Sequence, residues 1–548
     1  MDRGASRRGV LAGAGLGGLV AAAAAPAAAK PGGSAGASRS STPPEAVVET
    51  RSGKVRGALR DGIYTFKGIP YGADTGGAAR FLPPAPVAAW TGVKAALAYG
   101  PCCPQVVRDG WKNSETAFIY DWDDGFAGED CLRLNVWSPG PEKGARPIMF
   151  WIHGGGYESG SSQELPGYDG ERLARRGDVV VVSVNHRLGP FGFLDLSALG
   201  GDRYGLSANA GMLDLVAALE WVKANAAAFG GDPGNVTIFG QSGGGAKVSN
   251  LMAMPAAKGL FHKAIVQSGS LLDVGETARS HQLAEAVMKA LGLGPGDVGK
   301  LAQASATELV NAGVAAGKTM PKPPPGKVNL LWGPTMDGRT IPDSTWAKGA
   351  PALSADVPMI IGSNLNEFPP SLGNPALEDM GEDQARGMAR AVANASPAAW
   401  DAYRAAHPKA KPVEIVSMLI SNLFRIPAVA QAQRKAAQDR GKAWLYRFDY
   451  NSGVLDGRAR AFHCAELAYC FDNVDRCLNA TTGSPEARAL AGRMADAWLA
   501  FAKTGDPNHK ALPHWPAVSG SATPNMLFDA VCRVAEDPDA KERAALAG

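Results

Sequence analysis

Asn235-Val236-Thr237-Ile238-Phe239-Gly240-Gln241-Ser242-Gly243-Gly244 is an apolar run that gives way abruptly to small residues. Residues 235–239 read as a β-strand, and the segment from Gly244 to about Met254 reads as helical. A serine on a strand-to-helix turn fits the G-x-S-x-G nucleophile elbow, where a strained backbone is tolerated only beside small side chains. The pentad alone carries little weight in a chain with 68 glycines. Its setting between strand and helix separates it from a serine that merely caps a helix.

Moving outward, Ile148-Met149-Phe150-Trp151-Ile152 and Val179-Val180-Val181-Val182-Ser183-Val184 are apolar without alternation, as strands covered by helices on both faces should be. Residues 212–229 carry Leu213, Val216, Leu219 and Val222 at three-residue steps, a helical spacing. Strands that alternate with helices predict an α/β protein with a mostly parallel, doubly wound sheet. Val47-Val48-Glu49-Thr50 and Gly62-Ile63-Tyr64-Thr65-Phe66 read as an antiparallel opening to it. Residues 283–291 and much of 380–406 read as helical, with Pro321-Lys322-Pro323-Pro324-Pro325 in a loop between them. These insertions exceed what a minimal sheet needs and are expected to cover its carboxyl edge and shape a pocket there. One catalytic domain is expected over residues 45–548.

A serine hydroxyl needs a base to take its proton and a carboxylate to orient that base. On an elbow of this type the chain order is serine, acid, histidine. Of the eight histidines, His153 and His186 precede Ser242, and His262 lies on the elbow's own unit. His281 opens a helical segment, His407 ends one beside Pro408, and His509 and His514 lie in a polar turn region. His463 follows the strand Trp444-Leu445-Tyr446-Arg447-Phe448 after a loop, which is where a base belongs, although spacing alone does not decide for it. For the acid, Glu367 lies just beyond the apolar strand Val357-Pro358-Met359-Ile360-Ile361-Gly362, while its rival Asp337 sits in an Asp-Gly context that reads as a turn. An oxyanion site needs bare backbone N–H groups, and His153-Gly154-Gly155-Gly156 directly follows a buried strand.

Charge excludes other functions. Lys and Arg total 55 against 52 Asp and Glu, so the net charge is +3, too even for nucleic-acid or anionic-surface binding. Small uncharged ligands fit better. Ser6-Arg7-Arg8 opens a Gly/Ala-rich run ending near Ala27-Ala28-Ala29, a pattern like a twin-arginine export signal over residues 1–29, too short and too weakly apolar for a membrane anchor. A flexible Gly/Ser/Pro-rich linker should follow over 30–44. The protein is expected to be exported, periplasmic or secreted, with no later membrane span. Export permits disulfides, and among the seven cysteines Cys103 with Cys131 is the preferred pair, closing a short loop near the amino-terminal sheet, with buried thiols as the alternative. Pairing among Cys464, Cys470, Cys477 and Cys532 is open.

Phe66-Lys67-Gly68-Ile69-Pro70-Tyr71, Glu129-Asp130-Cys131-Leu132-Arg133-Leu134-Asn135, Asn185-His186-Arg187-Leu188-Gly189, Phe229-Gly230-Gly231-Asp232-Pro233, Phe501-Ala502-Lys503-Thr504-Gly505-Asp506-Pro507 and Trp515-Pro516 complete the pattern. In this order the chain resembles the type-B carboxylesterase family, the bacterial esterases and animal cholinesterases of the α/β-hydrolase fold, over nearly all of its length after the leader. The resemblance implies Ser242 as nucleophile, Glu367 as acid and His463 as base, with oxyanion donors from Gly155, Gly156 and Gly243 and a disulfide matching Cys103 to Cys131. It implies a serine ester hydrolase working through an acyl-enzyme, with a small-molecule ester as its partner and neither metal nor cofactor. A non-catalytic binding domain of the cholinesterase-like kind, and a lipase or amidase, are the alternatives.

The chain also departs from the family. Gln241 and Gly243 stand where Glu and Ala are usual, so tight recognition of cationic, choline-like substrates is not expected. Trp122 lies roughly where cholinesterases have a cation-binding tryptophan, but an aromatic there is more often packing than a cation site. Phe368-Pro369 follow the acid where Gly is common, and Cys464 follows His463 where a small residue is usual.

Overall fold

The computed structural model describes residues 46–106, 114–123, 125–142, 144–322, 330–343 and 346–547. The expected leader (1–29), the linker (30–44) and residues 323–325 of the proline-rich loop lie outside these. The strands are β1 (Ala46–Thr50), β2 (Gly53–Arg60), β3 (Ile63–Pro70), β4 (Val93–Ala95), β5 (Arg133–Ser138), β6 (Arg146–Ile152), β7 (Val180–Val184), β8 (Gly231–Gln241), β9 (Lys263–Gln267), β10 (Gly275–Glu276), β11 (Thr335–Met336), β12 (Met359–Asn364), β13 (Ala443–Phe448), β14 (Pro524–Phe528) and β15 (Arg533–Glu536). All but β10 and β11 join one sheet in the order β1-β2-β3-β5-β7-β6-β8-β9-β12-β13-β14-β15, with β4 beside β2. From β7 to β14 every pairing is parallel, while β1, β2, β3 and β5 at one edge and β15 at the other pair antiparallel.

The unbroken apolar runs have the expected cause. Ile148, Phe150 and Ile152 of β6 enter one buried layer and Met149 and Trp151 the other, so both faces of the strand are covered. Val180, Val182 and Val184 against Val181 repeat this in β7. The first layer is filled by the helices Ala210–Asn225 and Gly243–Leu251, the second by Pro485–Thr504. Helix Ala210–Asn225 is buried around most of its circumference, with Met212 and Leu215 added to the three-residue stripe.

The insertion expected over 380–406 is two helices, Glu382–Ala393 and Pro397–Ala406. Asn394 takes a left-handed φ of 54° and ends the first. Ser396 then caps the second by accepting the Ala399 N–H at 3.1 Å, with Pro397 in the first turn, where its missing N–H costs nothing. Both pack on the start of helix Pro412–Ala436 as a separate apolar cluster. That 25-residue helix corrects the expectation that no later segment is long and apolar enough to cross a membrane. Most of it is buried, with Ala428, Val429 and Ala432 in the same layer as β12 and β13 residues, so in this fold it is a core helix.

The chain passes from β6 to β7 on one side and returns to β8 on the other. The crevice beyond the carboxyl ends of β6 and β8 is therefore the point where strand order reverses, the place such sheets leave open for ligands. Its support includes a buried ion pair: Arg187, just after β7, donates from Nη2 to Asp214 Oδ1 at 2.6 Å and from Nε to Oδ2 at 2.8 Å. The same turn donates the Gly189 N–H to Tyr157 O at 2.7 Å, which ties it to the loop after β6. Asp214→Ala should lower stability by about 3–5 kcal/mol, since it strands a buried guanidinium. Urea denaturation against wild type measures this, and a loss under about 1 kcal/mol would show that the pair is dispensable.

Candidate functional site

Ser242 follows β8 and precedes helix Gly243–Leu251 with φ 56° and ψ −125°, a conformation that an L side chain holds only when its surroundings enforce it. The enforcement is visible on both sides. Its N–H donates to Gln267 O at 2.8 Å, and its carbonyl accepts the Ala246 N–H at 3.0 Å. A Cβ at Gly244 would fall well inside contact distance of Ile152 O, so the helix can approach β6 only through a glycine.

Glu367 lies on the loop after β12. Its Oε1 accepts from Ser268 Oγ at 2.7 Å and the Asn364 N–H at 2.8 Å, and its Oε2 lies 2.6 Å from His463 Nδ1. The backbones are joined as well, with His463 N donating to Glu367 O at 2.7 Å. Both side chains are buried, and the imidazole is held between Phe368 and Phe424, centroids 4.8 and 5.1 Å away. Tyr120 OH donates to His463 O at 2.6 Å. Because Nδ1 is committed to Glu367, Nε2 is the ring nitrogen left for chemistry. Ser242, Glu367, His463, Gly154 and Gly155 line one cavity of about 440 Å³. Among the described residues no Ser242 Oγ–His463 hydrogen bond forms, a contact that in such sites commonly tightens only around substrate.

Asp337 is elsewhere. Its Oδ1 accepts the N–H groups of Arg339, Thr340 and Ile341 at 2.9, 2.7 and 3.0 Å, the turn that its Asp-Gly context suggests. Burial alone would raise its carboxyl, but these amides and Asn209 hold it below the usual range. His281 keeps its own partners, Ser197 Oγ at 3.1 Å and Asp195 at 3.3 Å. His153 and His186 are stacked with centroids 4.9 Å apart.

Gly155 and Gly156 have φ of 81° and 66°. Among the described residues neither of their amide N–H groups has a hydrogen-bond partner. Gly155 O accepts from Glu158 and Ser159 N–H at 3.3 and 3.1 Å, which closes the loop on itself. Gly243 is the first residue of its helix, where an N–H has no intrahelical acceptor. A Cβ on Gly243 would overlap Gly156 O, so in this structure the helix start and the glycine loop meet at a distance only a glycine allows.

Three polar groups of the site escaped the sequence reading. Lys247 is fully buried, donates from Nζ to His153 O at 3.2 Å, and is pushed down to about 7 by burial against the opposing pull of Glu164. Its signal was a lysine five positions after Ser242 in a helix that is otherwise uncharged. Glu466 is fully buried, with Oε2 accepting from Asn364 Nδ2 at 2.8 Å and Oε1 from Gln267 Nε2 at 3.3 Å. Burial first, then the Glu367 charge, push it up to about 7. Its signal was its place three residues after His463. The third is a bond between two departures already noted: Cys464 Sγ donates to Gln241 Oε1 at 3.1 Å, and Gln241 Nε2 lies 3.2 and 3.4 Å from the two ring nitrogens of His463. Trp122 lines the same cavity, stacked on Tyr120 at 4.5 Å. Cys103 and Cys131 are buried, unbridged thiols. The hydrogen bond from Cys103, together with burial, pushes the Cys131 thiol up.

A doubly wound sheet whose switch point carries a strained serine, a buried carboxylate–imidazole pair and bare glycine amides belongs to the α/β-hydrolase class. Residues 44–544 match the carboxylesterase family, and the chain belongs to it. It is 35% identical over 513 residues to a para-nitrobenzyl esterase of Bacillus subtilis (strain 168), covering 91% of this chain and 97% of that protein. A phenmedipham hydrolase of Pseudarthrobacter oxydans is 34% identical over 484 residues, covering 86% and 92%. The solved carboxylesterase EST55 of Geobacillus stearothermophilus at pH 6.2 superposes with a TM-score of 0.76 at 36% identity, covering 91% of this chain and 99% of that one. The protein is a carboxylesterase, a serine hydrolase of carboxylic esters.

Two consequences are measurable. Gly243→Ala, although it restores the family's usual residue, should lower kcat by about 10²-fold through displacement of the Gly156 loop, the order of losing one oxyanion donor. An alanine variant with wild-type kcat would overturn that steric reading. Glu466 carries a stability signature. Unfolded, its carboxyl ionises near 4.5, so between that value and about 7 the folded state holds a proton that the unfolded state has released. Stability from this group therefore falls as pH rises through that window and is level above it. Relative to Glu466→Gln, wild type should lose on the order of 2–3 kcal/mol between pH 5 and pH 8 in urea denaturation, whereas parallel pH curves would mean the carboxyl ionises normally.

Proposed function

We propose that Ser242 is the nucleophile, His463 the general base and acid, and Glu367 the group that fixes the imidazole's tautomer, with the amides of Gly155, Gly156 and Gly243 receiving the oxyanion. His463 Nε2 takes the Ser242 proton as Oγ bonds to the ester carbonyl carbon, and the carbonyl oxygen becomes an alkoxide facing the three amides. That intermediate collapses with loss of the alkoxy group, which leaves as the alcohol with the proton from Nε2. Water, deprotonated by the same nitrogen, then attacks the acyl-enzyme, and the acid departs as Ser242 regains its proton. The observation that carries this reading is the 2.6 Å Glu367–His463 contact in the same cavity as Ser242.

The substrates are small to medium, mostly uncharged esters. The aromatic and apolar wall of Tyr120, Trp122, Tyr168, Phe368 and Leu372 supports this, as does the neutral Gln241 against the base. The Bacillus subtilis relative is a para-nitrobenzyl esterase, which makes a para-nitrobenzyl ester a sensible first substrate. The twin-arginine-like leader supports export to a periplasmic or extracellular setting, residues 45–548 serving as the catalytic domain. The adjacent Cys103 and Cys131 would become a disulfide in such an oxidising compartment.

A fluorophosphonate probe should label wild type at Ser242 and leave Ser242→Ala unlabelled. On a para-nitrobenzyl ester, Ser242→Ala and His463→Ala should each lose about 10⁶ in kcat and Glu367→Gln on the order of 10⁴. Asp337→Ala should lose far less. If Asp337→Ala proved more damaging than Glu367→Ala, the acid would be misassigned.

A further inference from the structure

A second cavity of about 250 Å³ lies beside the catalytic one and shares Tyr120, Leu165 and Cys464 with it. Beyond that shared wall its interior is apolar, with Ile119, Phe462, Leu467 and Ala468. At its margin Asp475 bonds Arg172 at 3.0 Å and Arg488 at 2.7 Å, Arg476 bonds Glu171 at 2.7 Å, and Asp121 is exposed to solvent. An uncharged group is what such a space would take.

Of the three wall residues, Tyr120 is fixed by its bond to His463 O at 2.6 Å and its stacking on Trp122, and Leu165 is buried. Cys464 is different. It holds a φ of 73°, the left-handed region that glycine enters freely and a cysteine enters at a cost. Its side chain lines both cavities, which places it on the wall between them. The side of the cavity follows from the chemistry. His463 Nε2 must protonate the departing oxygen, so the alcohol half of the ester lies toward His463, and Cys464 is the next residue.

We propose that Cys464 is a specificity-determining partition that closes the alcohol side of the catalytic cavity off from the neighbouring apolar chamber and so limits the size of the alcohol group. This rests on the esterase reading above. With the thiol in place, the alcohol half must fit against Tyr120, Trp122 and Cys464. With it removed, the two cavities join, and a linear or aromatic alcohol gains a further apolar chamber.

The test compares wild type with Cys464→Gly, Cys464→Ala and Cys464→Ser on acetate esters of ethanol, butanol and hexanol, and on p-nitrophenyl esters of acetate, butyrate and octanoate. Glycine suits φ 73°, so the key variant is expected to fold. Serine keeps both the wall and a hydroxyl for Gln241, whereas glycine and alanine both lose that bond, so the tether and the wall are separated. The hexyl-to-ethyl ratio of kcat/KM should rise about tenfold or more in Cys464→Gly, less in Cys464→Ala, and stay near wild type in Cys464→Ser, an apolar pocket returning roughly 10-fold or more per added fit. The acyl-length ratios should stay within about threefold of wild type in all three, because the change is confined to the alcohol side. An active Cys464→Gly enzyme with the wild-type alcohol ratio, or one whose acyl ratios move instead, overturns the partition alone. Wild type that neither hydrolyses these esters nor takes the fluorophosphonate overturns the esterase reading, and the partition with it.

Discussion

Two backbones meet at the switch point with no room for a side chain between them, and the site is built around that meeting. Gly244 lies against Ile152 O and Gly243 against Gly156 O, so the first turn of helix Gly243–Leu251 is pressed on the segment leaving β6. Hydrogen bonds to Gln267 and Ala246 then leave Ser242 no relaxed alternative to φ 56°. The same contact draws the helix's free amide toward the amides of Gly155 and Gly156. The proposed nucleophile and oxyanion donors are thereby set by one steric constraint in the rigid centre of a parallel sheet, which is why their geometry does not depend on the long insertions around them.

The residues proposed as acid and base are supplied from farther along the sheet. β12 and β13 are parallel neighbours, and the loops that leave their carboxyl ends carry Glu367 and His463. A backbone bond and a side-chain bond join the two residues, so neither loop can shift without the other. Around this pair the site is crowded with buried ionisable groups, Glu466 behind the carboxylate and Lys247 beneath the glycine loop. Dipoles face each of them, the Asn364 and Gln267 amides at Glu466 and the His153 carbonyl at Lys247, which also feels the Glu164 carboxylate. Burial then moves both toward neutrality, which removes the cost of an unpaired charge in the interior.

The sheet was legible because burial on both faces writes itself as unbroken apolar runs, as in 148–152 and 179–184. The serine and the glycine loop were legible because local sterics restrict their neighbours to small residues. Glu367 and His463 were narrower inferences, since a carboxylate and an imidazole brought together across parallel strands leave no local mark. There the resemblance to a known family supplied what spacing left open. Much of 380–406 was read as helical, but the break inside it went unread, although Asn394 at one helix end and Ser396-Pro397 at the next start are local signals. Helix Pro412–Ala436 shows the limit of composition, which cannot tell a core helix from a membrane-crossing one.

Gln241, Gly243 and Cys464 read separately as unrelated departures from the family pattern. In three dimensions two of them are a single hydrogen-bonded unit: the thiol orients the amide oxygen, which turns the amide nitrogen onto the imidazole ring. A glutamate at 241 would put a negative charge beside the imidazole, whereas the amide keeps this wall of the cavity neutral. The third departure, Gly243, leaves no room for a methyl group against Gly156 O. Read together, the three changes trade charge near the base for closer backbone packing, and this fits a pocket that selects its esters by size and apolar contact more than by charge.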